Sequence, residues 1–209
     1  MNHIKFTQAF GHSITALFIG IVLTACGVGG GSAQAPGLAH FSSVVGGCVR
    51  DNVTGLMWEV KTADDGLRGW DQTYTNYDSA ASEQKIDSAT NVLSKPTQDE
   101  IDAPTNSVGF KNAVNATNLC GFNDWRLPTL EELQSIVNNG VTSPGPTIDA
   151  TWFPNTKPLE FWSSSPLVVS PPPHIVYPYF AWGIFFRDGL VVSNLRSSNN
   201  HVRLVRTDQ

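Results

Sequence analysis

Two periodicities divide the chain into a strand-led start, a helical middle and a strand-rich end. The valine-rich run from Val44 to Arg50 predicts a first strand, followed by a turn at Asp51-Asn52. Thr54 to Val60 predicts a second strand, in which Met57 and Trp58 point to opposite faces and Trp58 belongs to the core. From Ser107, a plausible cap, the residues Phe110, Ala113, Val114 and Thr117 recur at helical steps towards an end at Leu119-Cys120. A second helix is predicted over 129–137, with Leu130, Leu133, Ile136 and Val137 on one face and Asn138-Asn139-Gly140 as its stop. Residues 141–158 form a proline-punctuated loop pinned by Ile148, Trp152 and Phe153. Strands then follow at 161–165, 179–186, 190–194 and 201–206, with a stiff excursion at Pro171-Pro172-Pro173 and a turn at Arg187-Asp188-Gly189. Two helices set among mostly antiparallel strands predict an α+β domain with long loops.

The helical middle is built around a corner, Leu119-Cys120-Gly121-Phe122-Asn123-Asp124-Trp125-Arg126-Leu127-Pro128-Thr129-Leu130-Glu131-Glu132-Leu133. Gly121 suits the left-handed close of a helix, and Asn123 and Asp124 suit a turn. Pro128 at a first helical position, with Glu131 and Glu132 in the first turn, marks the next helix start. Trp125 and Leu127 can enter a core while Arg126 between them points elsewhere, free to grip carbonyls or a carboxylate. Corner charges of this kind are usually architecture, so Asp124 and Arg126 are structural candidates before they are ligand contacts.

This corner resembles the signature of the C-terminal domain of the Legionella collagen-like adhesin, the Lcl C-terminal domain family. Three more pieces match it in order: Val49-Arg50-Asp51-Asn52-Val53-Thr54-Gly55-Leu56-Met57-Trp58-Glu59, Phe161-Trp162-Ser163-Ser164-Ser165, and Val202-Arg203-Leu204-Val205-Arg206. The resemblance covers about residues 44–206 and implies a C-type-lectin-like fold. Its structural residues would be Trp58, Asp124, Trp125, Arg126, Pro128, Trp162, Arg203 and Arg206. It also implies a surface-binding role rather than a chemistry, because a fold hosts many activities.

Ahead of the domain stands a leader. A short start carrying Lys5 runs into an apolar stretch from Ile14 to Leu23, about the length of a signal-peptide core and short of a membrane span. It ends in Leu23-Thr24-Ala25-Cys26, which looks like a lipoprotein cleavage site, so residues 1–25 are expected to be removed and Cys26 lipidated. Residues 26–43, opening with Gly27-Val28-Gly29-Gly30-Gly31-Ser32, are expected to be a flexible tether, and the domain to occupy 44–207. The expected location is the bacterial cell envelope, with the anchor in a membrane. The absence of an acidic residue after Cys26 leans towards the outer membrane. In that oxidising setting Cys48 and Cys120 are left to form one disulfide. A reactive thiol or metal pair is the alternative, and no CxxC spacing or nearby His favours it.

Composition narrows the partners. The formal net charge is −5, and losing residues 1–25 removes one lysine and no acidic residue, which gives −6. With no basic stripe, nucleic acid is excluded as a partner. The polar segment 61–106 carries Asp64-Asp65-Gly66 and Asp99-Glu100-Ile101-Asp102, which lack calcium-loop spacing; no cofactor is expected, and calcium is only a weak candidate. No nucleophile, base and orienter can be assembled. Ser163 to Ser165 lack a nucleophile elbow, and His40, His174 and His201 are scattered, with His201 expected at the surface. Formylglycine-generating relatives of the lectin-like fold need a cysteine pair in the C-terminal part, and none follows Cys120. A non-catalytic binding module is therefore expected, with a docking subunit of an envelope complex as the alternative.

Long C-terminal loops usually make the site in lectin-like folds. The stretch from Ser193 to His201 offers amides, hydroxyls and a guanidinium with little apolar content. The candidate ligand set for a glycan or protein partner is therefore Asn194, Arg196, Asn199, Asn200 and His201, joined by Trp182 and Arg187 from the preceding hairpin.

Overall fold

The computed structural model describes residues 39–80, 83–87, 89–169 and 175–208. The leader, Cys26 and the expected tether up to residue 38 lie outside these residues, as do Pro171-Pro172-Pro173 and His174. Three antiparallel sheets and short helices make an α+β fold. The first sheet has the order β1-β2-β3-β9, from Phe41–Val44, Cys48–Asp51, Leu56–Glu59 and Val205–Thr207. The opening strand of the sequence is thus two strands, because Gly46 at φ +102° and Gly47 at φ +87° fold Val45 to Gly47 into a tight hairpin. That hairpin draws residues 41–43, expected in the tether, into the sheet.

β3 pairs with β2 on one side (Val49 opposite Trp58) and with β9 on the other (Trp58 opposite Val205), so the two ends of the domain close in one sheet. Being central, β3 is buried on both faces. Trp58 enters a core with Phe161, Ile184, Leu133 and Phe153, and Met57 enters a second with Trp125, Trp162, Phe110 and Leu204. Alternation at the start of the strand Glu160–Val169 repeats the division, Phe161 going to the first core and Trp162 to the second. Burial of side chains this large, at roughly 1.5–3 kcal/mol each, is the main force holding the sheets together.

The 61–106 segment is not structureless. It holds a small hairpin, β4 (Lys85–Ile86) with β5 (Leu93–Ser94), and a helix α1 (Gln98–Asp102). The Asp99 to Asp102 cluster is that helix. Thr97 and Glu100 form a capping box at its start, so the acidic residues serve the helix end. α2 runs over Ser107–Ala116 with Asn106, not Ser107, at the cap, and the chain leaves it through Asn118 and Cys120, both at positive φ. α3 is Leu130–Ser135; its cap is Thr129, boxed with Glu132, so Pro128 precedes the helix instead of opening it.

The third sheet has the order β6-β7-β8, from Glu160–Val169, Ile175–Phe185 and Leu190–Leu195. Of the expected last strand, 201–206, only Val205 and Arg206 lie in a paired strand, β9; His201 makes a single bridge to Phe161. Among the described residues no helix is long and apolar enough to cross a membrane. Nor does any group of three or more His, Cys, Asp or Glu among them stand ready to hold a metal ion.

Candidate functional site

The disulfide Cys48–Cys120 forms across 72 positions and ties β2 to the turn after α2. Beside it the signature corner is held from every side. The Asn115 amide brackets Trp125, accepting from its N–H at 2.8 Å and donating to its carbonyl at 3.0 Å, and the indole donates to Leu119 at 3.1 Å. Arg126 forks onto Glu132, with two N–H donors each 2.6 Å from a carboxylate oxygen, and holds that carboxyl below its usual range. Arg206 donates to Asp124 at 2.7 and 3.2 Å and lies 3.7 Å over the Phe122 ring, so the last motif clamps the corner. Arg203 is fully buried, donates to the Glu59 carbonyl at 2.6 Å and to the Thr156 hydroxyl at 2.8 Å, and burial pushes its pKa down to about 10. Trp162 donates from its indole to the Tyr74 carbonyl at 2.7 Å.

The candidate ligand set is divided by the fold. Arg196 is only 2% exposed: it donates to the Asn76 carbonyl at 2.6 Å and to Asp78 at 2.9 Å. Burial lowers its pKa and Asp78 opposes that shift. His201, expected at the surface, is buried against Phe161, and its Nδ1 lies 2.9 Å from the Gln72 carbonyl. A carbonyl only accepts, so Nδ1 carries the proton. Asn200 is buried as well, its backbone paired with Tyr74. The register sets Ala181 opposite Asn194 and Trp182 opposite Ser193, which puts Trp182 and Asn194 on opposite faces of the sheet. Arg196 and Trp182 therefore do not join the amides in one exposed surface.

What remains together is a small cleft of about 190 Å³, lined by Thr73, Leu159, Glu160, Phe185, Asn199, Asn200 and His201. Glu160 sits at the start of β6 and accepts from the Asn194 amide at 3.0 Å. At the other end Arg187 stacks 4.5 Å from the centre of the Phe185 ring. Asn199 is exposed on the rim. A carboxylate, amides and an aromatic edge are donors and acceptors suited to a hydroxyl-rich ligand. Glu160 and Phe185 were absent from the expected set, although Glu160 directly precedes the Phe161-Trp162 motif.

The model of the Lcl C-terminal domain family matches residues 47–206. No curated protein matches the chain, and no solved structure does.

Proposed function

The chain belongs to the Lcl C-terminal domain family, and from that premise we propose that it is a non-catalytic, lipid-anchored binding module of the bacterial cell envelope. Its ligand is a glycan or host polymer rich in hydroxyl groups, its fold is C-type-lectin-like, and its lipid sits on Cys26, in the outer membrane. The observation carrying the ligand assignment is the gathering of Glu160, Asn199 and Phe185 around one cleft, with Asn194 donating to the Glu160 carboxylate. A glycan array probed with the protein, with and without calcium, tests it; absence of any carbohydrate signal in both conditions removes the glycan assignment. Anchoring is tested separately by Cys26→Ser, which should leave unprocessed or released protein. A variant that partitions into detergent like the wild type contradicts the lipid anchor.

A docking subunit of an envelope complex is the second function, favoured by the outer strand β8, where Leu190 is 60% and Val191 39% exposed. Crosslinking of a discrete envelope partner in the wild type, lost in Leu190→Lys, would favour docking over glycan binding.

A further inference from the structure

A second cleft, of about 410 Å³, opens where the 61–106 segment meets α2 and the signature corner, and it shares no lining residue with the Glu160 cleft. Residues far apart in sequence line it, among them Asp78, Val108, Lys111, Arg126, Leu127 and Ser164. Its volume falls within the range of small-ligand pockets, roughly 300–1,000 Å³.

The charges on this wall differ in what they have left to give. Arg126 is committed to Glu132 through both terminal nitrogens, and Asp78 accepts from Arg196 at 2.9 Å and from Gln84 at 2.7 Å. Lys111, half-buried on α2, has no ion pair among the described residues. An ammonium is a point charge with three donors, able to take one anionic group without a fixed fork. The Glu132 and Asp78 carboxylates would repel a second negative charge, so the cleft favours a monoanion over a phosphate dianion. Val108 and Leu127 add apolar surface beside the cation. Ser164 donates its hydroxyl to the Pro128 carbonyl at 3.1 Å and keeps oxygen lone pairs for an incoming N–H.

We propose that this cleft binds an aliphatic group carrying a single carboxylate, with Lys111 on the carboxylate and Val108 and Leu127 against the hydrocarbon. A small free acid and the C-terminus of a peptide ending in an aliphatic residue share this chemistry.

Titration calorimetry of the full chain with N-acetyl-leucine, N-acetyl-leucinamide and the tripeptide Ala-Ala-Leu tests it. Saturable binding of the acid is expected, with the neutral amide weaker by on the order of tenfold because it forfeits the charge-assisted bond. Lys111→Met should erase the preference for acid over amide without moving the melting temperature, and Lys111→Arg should keep it. Val108→Trp, which fills the cleft, should weaken both ligands. Tighter binding of the tripeptide points to a chain terminus and tighter binding of N-acetyl-leucine to a free acid; either order supports the shared chemistry. Equal affinity for acid and amide in the wild type, no saturable binding of any probe, or a preference that survives in Lys111→Met overturns the proposal.

Discussion

Arg196 donates to Asp78 at 2.9 Å across 118 positions of chain, and the same nitrogen reaches the Asn76 carbonyl at 2.6 Å. A residue expected to meet ligand is instead the clasp that fastens the 61–106 segment to the end of β8. Asn76, just ahead of Asp78, carries the clasp inwards: its amide donates to the Ser163 carbonyl at 3.0 Å, and its oxygen accepts from Ser107 at 2.8 Å. One guanidinium thus organises the long segment, α2 and β6 at once.

Arg196→Ala should therefore act on stability. Breaking a fully buried pair costs about 3–5 kcal/mol, and the smaller value of roughly 2–3 kcal/mol is expected because Asp78 keeps contact with solvent. Asn199→Ala on the exposed rim should stay within about 0.5 kcal/mol of the wild type. Urea denaturation separates the two, and an Arg196→Ala midpoint equal to that of the wild type would show that the clasp carries no energy.

The acid side of the stability profile should contain His201. Burial lowers its pKa below the ordinary 6.5; the Gln72 carbonyl and Asp71 oppose the shift, and Lys61 and Lys157 reinforce it. As pH falls through 6.5 the unfolded chain takes up a proton that the folded protein refuses. Stability is then full above that pH and declines below it, down to the folded pKa. Melting temperatures between pH 7 and 5.5 should slope downward in the wild type and flatten in His201→Gln, which removes the titration. An equal slope in both proteins would assign the acid sensitivity elsewhere.

The elements legible in the sequence are those written by local rules. Helical spacing exposed Phe110 and Val114 of α2, the run after the Gly55 turn exposed β3, and an aromatic-rich run turning at Arg187-Asp188-Gly189 exposed the β7–β8 hairpin. Two capping boxes, Thr97 with Glu100 and Thr129 with Glu132, obey an equally local rule. The first was hidden because its acidic residues suggested a cation loop. Partners such as Arg196 with Asp78, or Arg206 with Asp124, are chosen by the closed fold and leave no trace in spacing. Register matters in the same way. One residue of offset separates Trp182 from Asn194, and only the pairing of β7 with β8 fixes it.

The disulfide makes a separate prediction. Closing 72 positions between Cys48 and Cys120 removes unfolded-state freedom worth about 4 kcal/mol in the loop-entropy model. Cys120→Ser, or reduction of the wild type, should lower the unfolding free energy by an amount of that order. Mass spectrometry of a non-reduced digest should link the two cysteines; two alkylatable thiols in the folded protein would contradict the bond.

The Glu160 cleft supports the most direct functional prediction. Asn194 is the partner of the Glu160 carboxylate at 3.0 Å, and Asn199 stands free on the rim, so the two amides play different parts. Removing Asn199 deletes a ligand contact alone. Removing Asn194 also releases the carboxylate from its fixed orientation, and a hydroxyl-binding acceptor that must be re-ordered on binding loses affinity. Asn199→Ala should weaken retention on the carbohydrate selected by the array several-fold, and Asn194→Ala by roughly tenfold, the worth of about one charged hydrogen bond. Glu160→Gln keeps the shape while removing the charge, and it should weaken binding at least as much as Asn194→Ala. All three variants should melt within a few degrees of the wild type, since no core side chain is cut. If each variant retains ligand like the wild type in a quantitative binding curve, the hydroxyl-rich ligand is held by a different surface of this domain.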